Sequence, residues 1–153
     1  MSILEQIKEK LADKISDWYE HNPCRIYFTV TKKNIKEVAR VLFKDLGLRF
    51  VIATGTDTPQ GFEILYHFSF DASGQMVSVR ALIKNKQNPE IDSLAGIAPC
   101  FEWIEREIWE MLGVKFLGHP NLKRLLLSDD WPEGKYPLRQ KTEDRGQKAD
   151  NSD

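Results

Sequence analysis

The sequence predicts an α+β fold, in which a single domain has a mostly antiparallel sheet, helices packed on it, and an extended C-terminal arm. A chain of 153 residues usually forms one hydrophobic core. Segments with apolar residues every three or four positions alternate with segments in which every second residue is apolar. A short Gly-containing turn between two strand-like segments favours antiparallel neighbours. We therefore expect an α+β domain at residues 1–127, a docking arm at 128–139 and a disordered tail at 140–153.

The charge balance argues against two classes of partner. The chain has 22 Lys and Arg against 23 Asp and Glu, so no net field attracts nucleic acid or an anionic membrane surface. No apolar run approaches the roughly 18 residues that span a bilayer, and Glu5 and Glu9 stand where a signal peptide is apolar. The sequence predicts a cytoplasmic chain that binds no nucleic acid and reaches the membrane only through other proteins.

The cysteines and histidines lack the spacing of a metal site. Cys24 and Cys100 are far apart along the chain, and His21, His67 and His119 are scattered. The chain also has no phosphate loop and no nucleotide-binding fingerprint. We expect two free, buried thiols, and no metal or cofactor in this chain.

Two helices are predicted in the first third of the chain. The second helix begins at Asn34, which forms a capping-box pattern with Glu37, and ends at Gly47, which supplies a left-handed stop. The first helix is predicted from apolar residues at three- and four-residue steps, which are Leu4, Ile7, Leu11, Ile15 and Trp18.

Four strands and a third helix complete the predicted domain. Alternating apolar residues indicate strands at residues 25–31, 48–54, 62–70 and 76–83. The turn at Gly74 joins the last two strands as a hairpin, which favours an antiparallel meander. The third helix begins near Pro99, where a missing N–H costs little, and ends at Gly113. Its predicted core stripe is Phe101, Ile104, Ile108 and Met111.

The third helix also has charges that permit a catalytic interpretation. A pair among Glu105, Glu107 and Glu110 would act as general acid and base, with His119 as a proton relay. Glu105 and Glu107, however, diverge by about 200° around the helix axis. The sequence therefore favours no catalytic residue, and a stand-alone enzyme that uses a Glu and His119 is the alternative. Glu102, Arg106 and Glu110, at four-residue steps, are typical of a solvated face.

A docking interpretation uses the aromatic and basic residues instead. Trp103 and Trp109 flank the charged stripe, either as core residues or as interface anchors. The segment after residue 128 has two prolines and a glycine among large side chains, so it is neither a helix nor a central strand. Aromatic and arginine side chains on such a segment are typical interface anchors. They are Trp131, Tyr136 and Arg139, accompanied by Lys123, Arg124 and Lys135.

One extended motif resembles a known family. It consists of Glu105-Arg106-Glu107, Glu110-Met111-Leu112, His119, Lys123 and Leu125-Leu126. The pattern is similar in order and spacing to the signature of the 30 kDa subunit of respiratory complex I and its hydrogenase relatives. Glu110 stands where the family more often has Asp. The similarity extends from about residue 26 to residue 139.

The resemblance implies an accessory subunit of the peripheral arm with no catalytic residue, cofactor or metal of its own. Its partners would be the large catalytic subunit and a neighbouring iron–sulfur subunit, which would hold the iron–sulfur, nickel–iron or quinone sites. The implied docking residues are Glu105, Arg106, Glu107, Glu110, His119, Pro120, Lys123, Arg124, Trp131, Tyr136, Pro137, Leu138 and Arg139.

The end of the arm distinguishes two types of complex within the family. The quinone-reducing members close with a His-Pro-Leu-Arg-Lys-Asp-Phe-type segment, whereas Tyr136-Pro137-Leu138-Arg139 is followed here by Gln140-Lys141-Thr142. This segment resembles that of an energy-converting, membrane-bound hydrogenase or a related ferredoxin-linked complex. A subunit of a quinone-reducing NADH dehydrogenase is the alternative within the family.

Overall fold

In the computed structural model, which describes residues 1–140, three α-helices and seven strands follow each other along the chain. A π-helical turn at Val41–Asp45 extends the second helix, and a 3₁₀ turn at Pro99–Phe101 leads into the third. The elements are α1 Ile3–Leu11, β1 Ile15–Asn22, β2 Arg25–Val30, α2 Ile35–Arg40, β3 Arg49–Thr58, β4 Gly61–Phe70, β5 Gln75–Ile83, β6 Glu90–Asp92, α3 Glu102–Leu112 and β7 Lys115–Leu117.

Five of the strands form one mixed sheet in the order β1-β2-β5-β4-β3. The pairs β3–β4 and β4–β5 are antiparallel, which confirms the predicted meander. β2 lies parallel to β5, with Ile26 opposite Val77. The chain reaches this arrangement because α2 and β3 intervene between β2 and the hairpin, so that β2 joins the sheet beside β5. β6 and β7 form a separate, parallel pair.

The first helix is shorter than the sequence predicts. α1 ends at Leu11, and Ile15 and Trp18 belong to β1. Trp18 stacks on Phe28 of β2, with ring centroids 5.6 Å apart and planes 3° from parallel. The position of Trp18 matches the helical period of α1 only by coincidence. Pairing with β2 gives this segment a strand conformation. Asp17, at φ 51°, lies where the β1 register shifts.

The second helix has the predicted position but not the predicted cap. Asn34 has helical backbone angles, and its side chain makes no cap hydrogen bond. Gly47 has a φ of 71°, which confirms the left-handed stop. The capping box of this chain lies instead on α1, where Ser2 Oγ accepts from Glu5 N at 3.2 Å and Glu5 Oε2 accepts from Ser2 N at 2.7 Å.

The core lies between the sheet and the helices, and it fixes the position of α3. Ile108 and Leu112 of α3 are buried against β3, opposite Gly55. A Cβ at Gly55 would lie 2.8 Å from Leu112 Cδ1 and 3.1 Å from Ile108 Cγ2. This close approach favours a glycine on β3, because a larger residue would force the side chains of Leu112 and Ile108 to move.

The thiols of Cys24 and Cys100 are free, but both residues are exposed rather than buried. Cys24 lies in the turn between β1 and β2, where its N–H donates to Asn22 Oδ1 at 2.9 Å. Cys100 lies in the 3₁₀ turn before α3. Both cysteines lie outside the sheet and the α-helices, where exposure is common despite the usual preference of cysteine for the interior.

Candidate functional site

The motif residues meet around α3. The helix follows Pro99 and ends at Gly113, whose φ of 76° and N–H bond to Trp109 O at 2.7 Å form the predicted left-handed cap. The charged stripe of Glu102, Arg106 and Glu110, for which the sequence predicts a solvated face, is instead partly covered, since Glu110 is buried and the other two residues are half-buried. Glu105 and Glu110 are among the few buried charged residues of the described chain, with 1% and 4% exposure.

Glu105 points into the domain and connects α3 to the segment after β6. Its carboxylate accepts from Ser93 Oγ and from Leu94 N, each at 2.6 Å. Burial is the main cause that raises the pKa of this carboxyl to about 7. The two hydrogen bonds favour the charged form and lower the pKa, whereas the negative charge of Glu102 raises it. Ser93 Oγ also accepts from Ala95 N at 3.1 Å, so the loop closes on the carboxylate.

His119 makes a second connection to the same helix. Its Nε2 donates to Glu102 O at 3.0 Å, and its Nδ1 accepts from Asn121 N at 3.0 Å. Nε2 lies 3.9 Å from Glu105 Oε2, and both side chains are closed to solvent. Since each ring nitrogen is used by the backbone, the histidine holds the loop and has no nitrogen available to a substrate.

Glu110 organises the loop that follows β7. One carboxylate accepts from three successive backbone N–H groups, those of Leu125 at 3.0 Å, Leu126 at 2.7 Å and Leu127 at 3.4 Å. This arrangement is a nest of amides around an anion, formed here by the chain's own side chain. The leucine run therefore curves around α3.

Arg106 binds the same loop from the other side. Its Nε donates to Lys123 O at 3.0 Å and its Nη2 to Arg124 O at 2.6 Å. The arginine thus bonds to loop carbonyls, although Glu102 and Glu110 lie four residues away from it on the same helix. Helical spacing alone could not predict this, because the loop that supplies the carbonyls follows in sequence and folds back over the helix.

Arg124 links this loop to the arm. Its Nη1 donates to Ser128 O at 2.7 Å and to Asp129 O at 3.2 Å, and its Nη2 donates to Trp131 O. The Trp131 indole N–H donates to Lys135 O at 2.9 Å and closes the next turn. The arm therefore has a defined local conformation.

The end of the arm packs on the domain. Leu138 N donates to Met111 O at 3.0 Å and Arg139 Nε to Leu112 O at 2.6 Å, so the arm satisfies free carbonyls of α3. The Arg139 guanidinium lies 4.5 Å from the Tyr136 ring centroid. Two prolines and few apolar residues would lead one to expect that the predicted arm at 128–139 packs loosely on its own domain. At this end of the arm, the contacts of Leu138 and Arg139 show that it does not. Of the predicted tail at 140–153, only Gln140 is among the described residues; residues 141–153 lie outside them.

Several motif and arm residues leave side chains on the surface. Trp103 is 70% exposed and is therefore a surface residue, while Trp109 is half-buried. Trp131 is 36% exposed and Leu138 57%. The remaining predicted site residues are Glu107, half-buried against β3, and the exposed Pro120, Lys123 and Pro137.

A Gly113→Ala substitution should test the packing of the arm on α3. The new Cβ would lie 2.6 Å from Arg139 Nη2 and from the Tyr136 ring, at a positive φ that alanine disfavours. We expect a loss of about 1–2 kcal/mol in the free energy of unfolding, measured by urea titration, and faster proteolysis of the arm. Gly47→Ala is the matched control, since its φ is 71° but its Cβ would meet no atom within 4 Å. Equal proteolysis of the arm in both variants would contradict the packing.

Three residues that matter for this site were not predicted from the sequence. Ser93 holds Glu105, and Asp57 Oδ2 accepts from Gln140 N at 2.8 Å at the end of the arm. Both contacts join segments that are distant in sequence, so no local sequence pattern predicts them. Gly55 did have a signal, because a glycine inside a strand of β-formers often marks a close approach of another element.

The part of the chain that the structure describes shows neither a cluster of residues able to hold a metal ion nor a helix suited to crossing a membrane. The chain is an α+β domain in which the charged side chains of the motif fix the conformation of a loop and of the arm that follows it. The model of the family "Respiratory-chain NADH dehydrogenase, 30 Kd subunit" matches residues 28–148. The chain belongs to this family, and it is therefore a subunit of the complex I-like type.

Relatives in several organisms support the assignment. An NADH-quinone oxidoreductase subunit of Chloroherpeton thalassium is 36% identical over 87% of this chain and 56% of its own length. Its counterpart in Citrifermentans bemidjiense is 33% identical over 88% of this chain and 83% of its own length. An F(420)H(2) dehydrogenase subunit of Methanosarcina mazei is 33% identical over 90% and 88%. The chain thus spans little more than half of the first of these relatives and most of the other two.

Two solved structures have the same fold. A chain of the membrane-bound sulfane sulfur reductase, an archaeal respiratory membrane complex, superposes with a TM-score of 0.79 at 26% identity, over 90% of this chain and 81% of that one. A trypsin-resistant fragment of Nqo5 superposes with a TM-score of 0.66 at 20% identity, over 79% of this chain and 100% of the fragment. The second likeness concerns the fold alone.

Proposed function

We propose that this chain is a non-catalytic docking subunit of a membrane-bound, complex I-like oxidoreductase, where it clasps the large catalytic subunit and contacts a neighbouring iron–sulfur subunit. The observation that supports this most is the use of the motif charges. Glu110, Arg106 and Arg124 all bind backbone groups of residues 123–131. Charges used in this way fix the shape of a surface and leave exposed aromatic side chains on it.

Among residues 1–140, the pair of Glu105 and His119 that the catalytic alternative would use is not accessible. Glu105 and His119 are near each other but closed to solvent, and both are bonded to the surrounding backbone. A general acid or base must reach the proton that it moves. On the basis of the family, we also propose that the iron–sulfur, nickel–iron or quinone sites lie in partner subunits. We propose as well that this chain lies on the cytoplasmic, peripheral side of the complex, with no direct contact to the membrane.

Within the family, we favour the energy-converting hydrogenase type. The observation in favour of this type is that the sequence after Arg139 departs from that of the quinone-reducing members. The likeness to a chain of a membrane-bound sulfane sulfur reductase is compatible with a complex that is not an NADH dehydrogenase, but it does not distinguish a hydrogenase from a sulfur reductase. The second candidate is a subunit of a quinone-reducing NADH dehydrogenase, favoured by the 36% and 33% identical relatives. Purifying the tagged chain from its native membrane and identifying the co-purified subunits distinguishes them. Neighbours of a sulfur reductase would overturn the hydrogenase type and leave the docking role intact.

The docking role itself is tested by substituting an exposed aromatic residue of the arm. Trp131→Ala should weaken association with the large subunit at least tenfold, because interface tryptophans commonly contribute about 2 kcal/mol or more. The melting temperature should fall little, since Trp131 packs at the surface. Tyr19→Ala is the control, because Tyr19 is 57% exposed on β1, at the far edge of the sheet. Unchanged assembly of the Trp131 variant would exclude this residue as an anchor.

Truncation after Leu127 gives a second measurement of the same role. It removes the donors that Leu138 and Arg139 supply to the last carbonyls of α3. We therefore expect a moderate loss of about 1–2 kcal/mol in the free energy of unfolding, together with a much larger loss of association. A truncated chain that unfolds outright would show that the arm is part of the domain core; one that assembles normally would show that the arm does not dock.

A further inference from the structure

The two edges of the main sheet differ in their protection. β1 forms one edge, and its run Ile15–Asn22 includes Asp17, Glu20 and two register shifts. Charges and bulges of this kind prevent an edge strand from pairing with another chain. The edge at β1 is therefore closed to strand addition.

β3 forms the opposite edge and has few of these features. It has one register shift, between Phe50 and Ile52, and from there its pairing with β4 is regular to Thr58. Residues 50–56 contain no charged side chain, and Val51 and Ile52 are exposed. Alternate residues of an edge strand direct backbone N–H and C=O groups outward, and among residues 1–140 no strand pairs with this side of β3. Such an edge is a template for a further strand.

An apolar groove runs along this edge. It lies between β3 and α3 and has a volume of about 220 Å³, which is below the roughly 300–1,000 Å³ of a typical small-molecule pocket. A groove of this size suits a few side chains of an extended peptide. Its lining includes Ile52 of β3, Ile104 and Met111 of α3, and Leu138 of the arm.

The charge at the groove indicates what kind of segment fits. Glu107 lines it, and no side chain of residues 1–140 forms an ion pair with this glutamate. Trp103 lies one helical turn earlier on the same stripe and is 70% exposed. A segment with apolar side chains facing the groove and one Lys or Arg near Glu107 would complement both features.

We propose that the free edge of β3 binds an extended segment of a partner subunit, which adds a sixth strand to the sheet, inserts apolar side chains into the groove beside α3 and pairs a basic side chain with Glu107. Strand addition supplies main-chain hydrogen bonds for affinity, and pockets for alternate side chains supply specificity. This inference rests on the docking role proposed above, and it identifies a contact separate from Trp131.

Hydrogen exchange of the isolated chain and of the purified complex tests the proposal. We expect the amides of residues 51–56 that point away from β4 to exchange at least tenfold more slowly in the complex. Equal exchange in both samples would overturn strand addition while leaving the docking role standing. If the tagged chain is recovered with no other subunit, the docking role itself falls. Concentration-dependent protection in the isolated chain would identify a second copy as the occupant, and protection lost on truncation after Gln140 would identify the chain's own tail; either result overturns the proposal.

Substitutions at the edge provide an independent measurement. Thr54→Lys places a charge on an exposed position of β3, so the melting temperature should be retained while association falls at least tenfold. Tyr19→Lys is the matched control on the protected edge. Glu107→Gln should reduce the salt dependence of association, because it removes the anion that faces the partner's basic residue. Normal association of Thr54→Lys, or an unchanged salt dependence for Glu107→Gln, would contradict the corresponding contact.

Discussion

Replacement of Glu110 by alanine should destabilise the isolated domain by about 3–4 kcal/mol, as hydrogen bonds to a charged acceptor contribute roughly 1.5–3 kcal/mol each and water would restore part of the loss. The carboxylate of Glu110 accepts from three consecutive backbone N–H groups at Leu125, Leu126 and Leu127. Without it, the loop loses its anchor on α3. The free energy of unfolding, measured by urea titration, gives the magnitude.

The same substitution should release the arm. The loop includes Arg124, whose guanidinium holds the carbonyls of Ser128, Asp129 and Trp131. We expect faster trypsin cleavage after Lys123 and Arg124 in the Glu110→Ala variant. Glu107→Ala on the same helix is the control and should cost under about 1 kcal/mol, because the half-buried side chain of Glu107 makes no ion pair with a side chain of residues 1–140. If the two variants lose the same free energy of unfolding, the amide nest does not stabilise the loop.

Local patterns predicted most of the secondary structure. The hairpin between β4 and β5 follows from the turn at Gly74, and the end of α3 follows from Gly113, because both glycines adopt a positive φ that the sequence signals. The parallel pairing of β2 with β5 brings together strands that are distant in sequence. No spacing rule predicts this strand pairing, because it depends on how the faces of the whole sheet and of the helices are buried against each other.

The contacts of the candidate site were not predicted from the sequence. The four-residue spacing of charges on α3 indicated a solvated face. Glu110 is buried because the backbone amides of a later loop provide hydrogen bonds that replace those of water. Burial of Glu105 likewise depends on Ser93 and Leu94, which precede the helix. Such partners become visible only once the chain has folded back on itself.

The buried carboxyl of Glu105 should make the stability of the domain depend on pH. Its pKa is raised from 4.5 to about 7 by burial. Below pH 4.5 the group is protonated in both states; between 4.5 and 7 the unfolded chain loses the proton first, so stability falls as pH rises. Above pH 7 the loss is complete and amounts to about 3 kcal/mol, at 1.36 kcal/mol per pKa unit.

A Glu105→Gln variant isolates this contribution, because glutamine has the shape of the protonated acid. It can donate to Ser93 Oγ and accept from Leu94 N, the two atoms that contact the carboxylate in the wild type. We expect the variant to be close to the wild type at about pH 5 and more stable by about 3 kcal/mol at about pH 8, in urea titrations at both values. Ser93→Ala should move the pH window upward, since the hydroxyl bond lowers the pKa of Glu105. A glutamine variant that is destabilised equally at both pH values would mean that Glu105 is ionised in the folded protein throughout this range, and that its two short hydrogen bonds outweigh its burial.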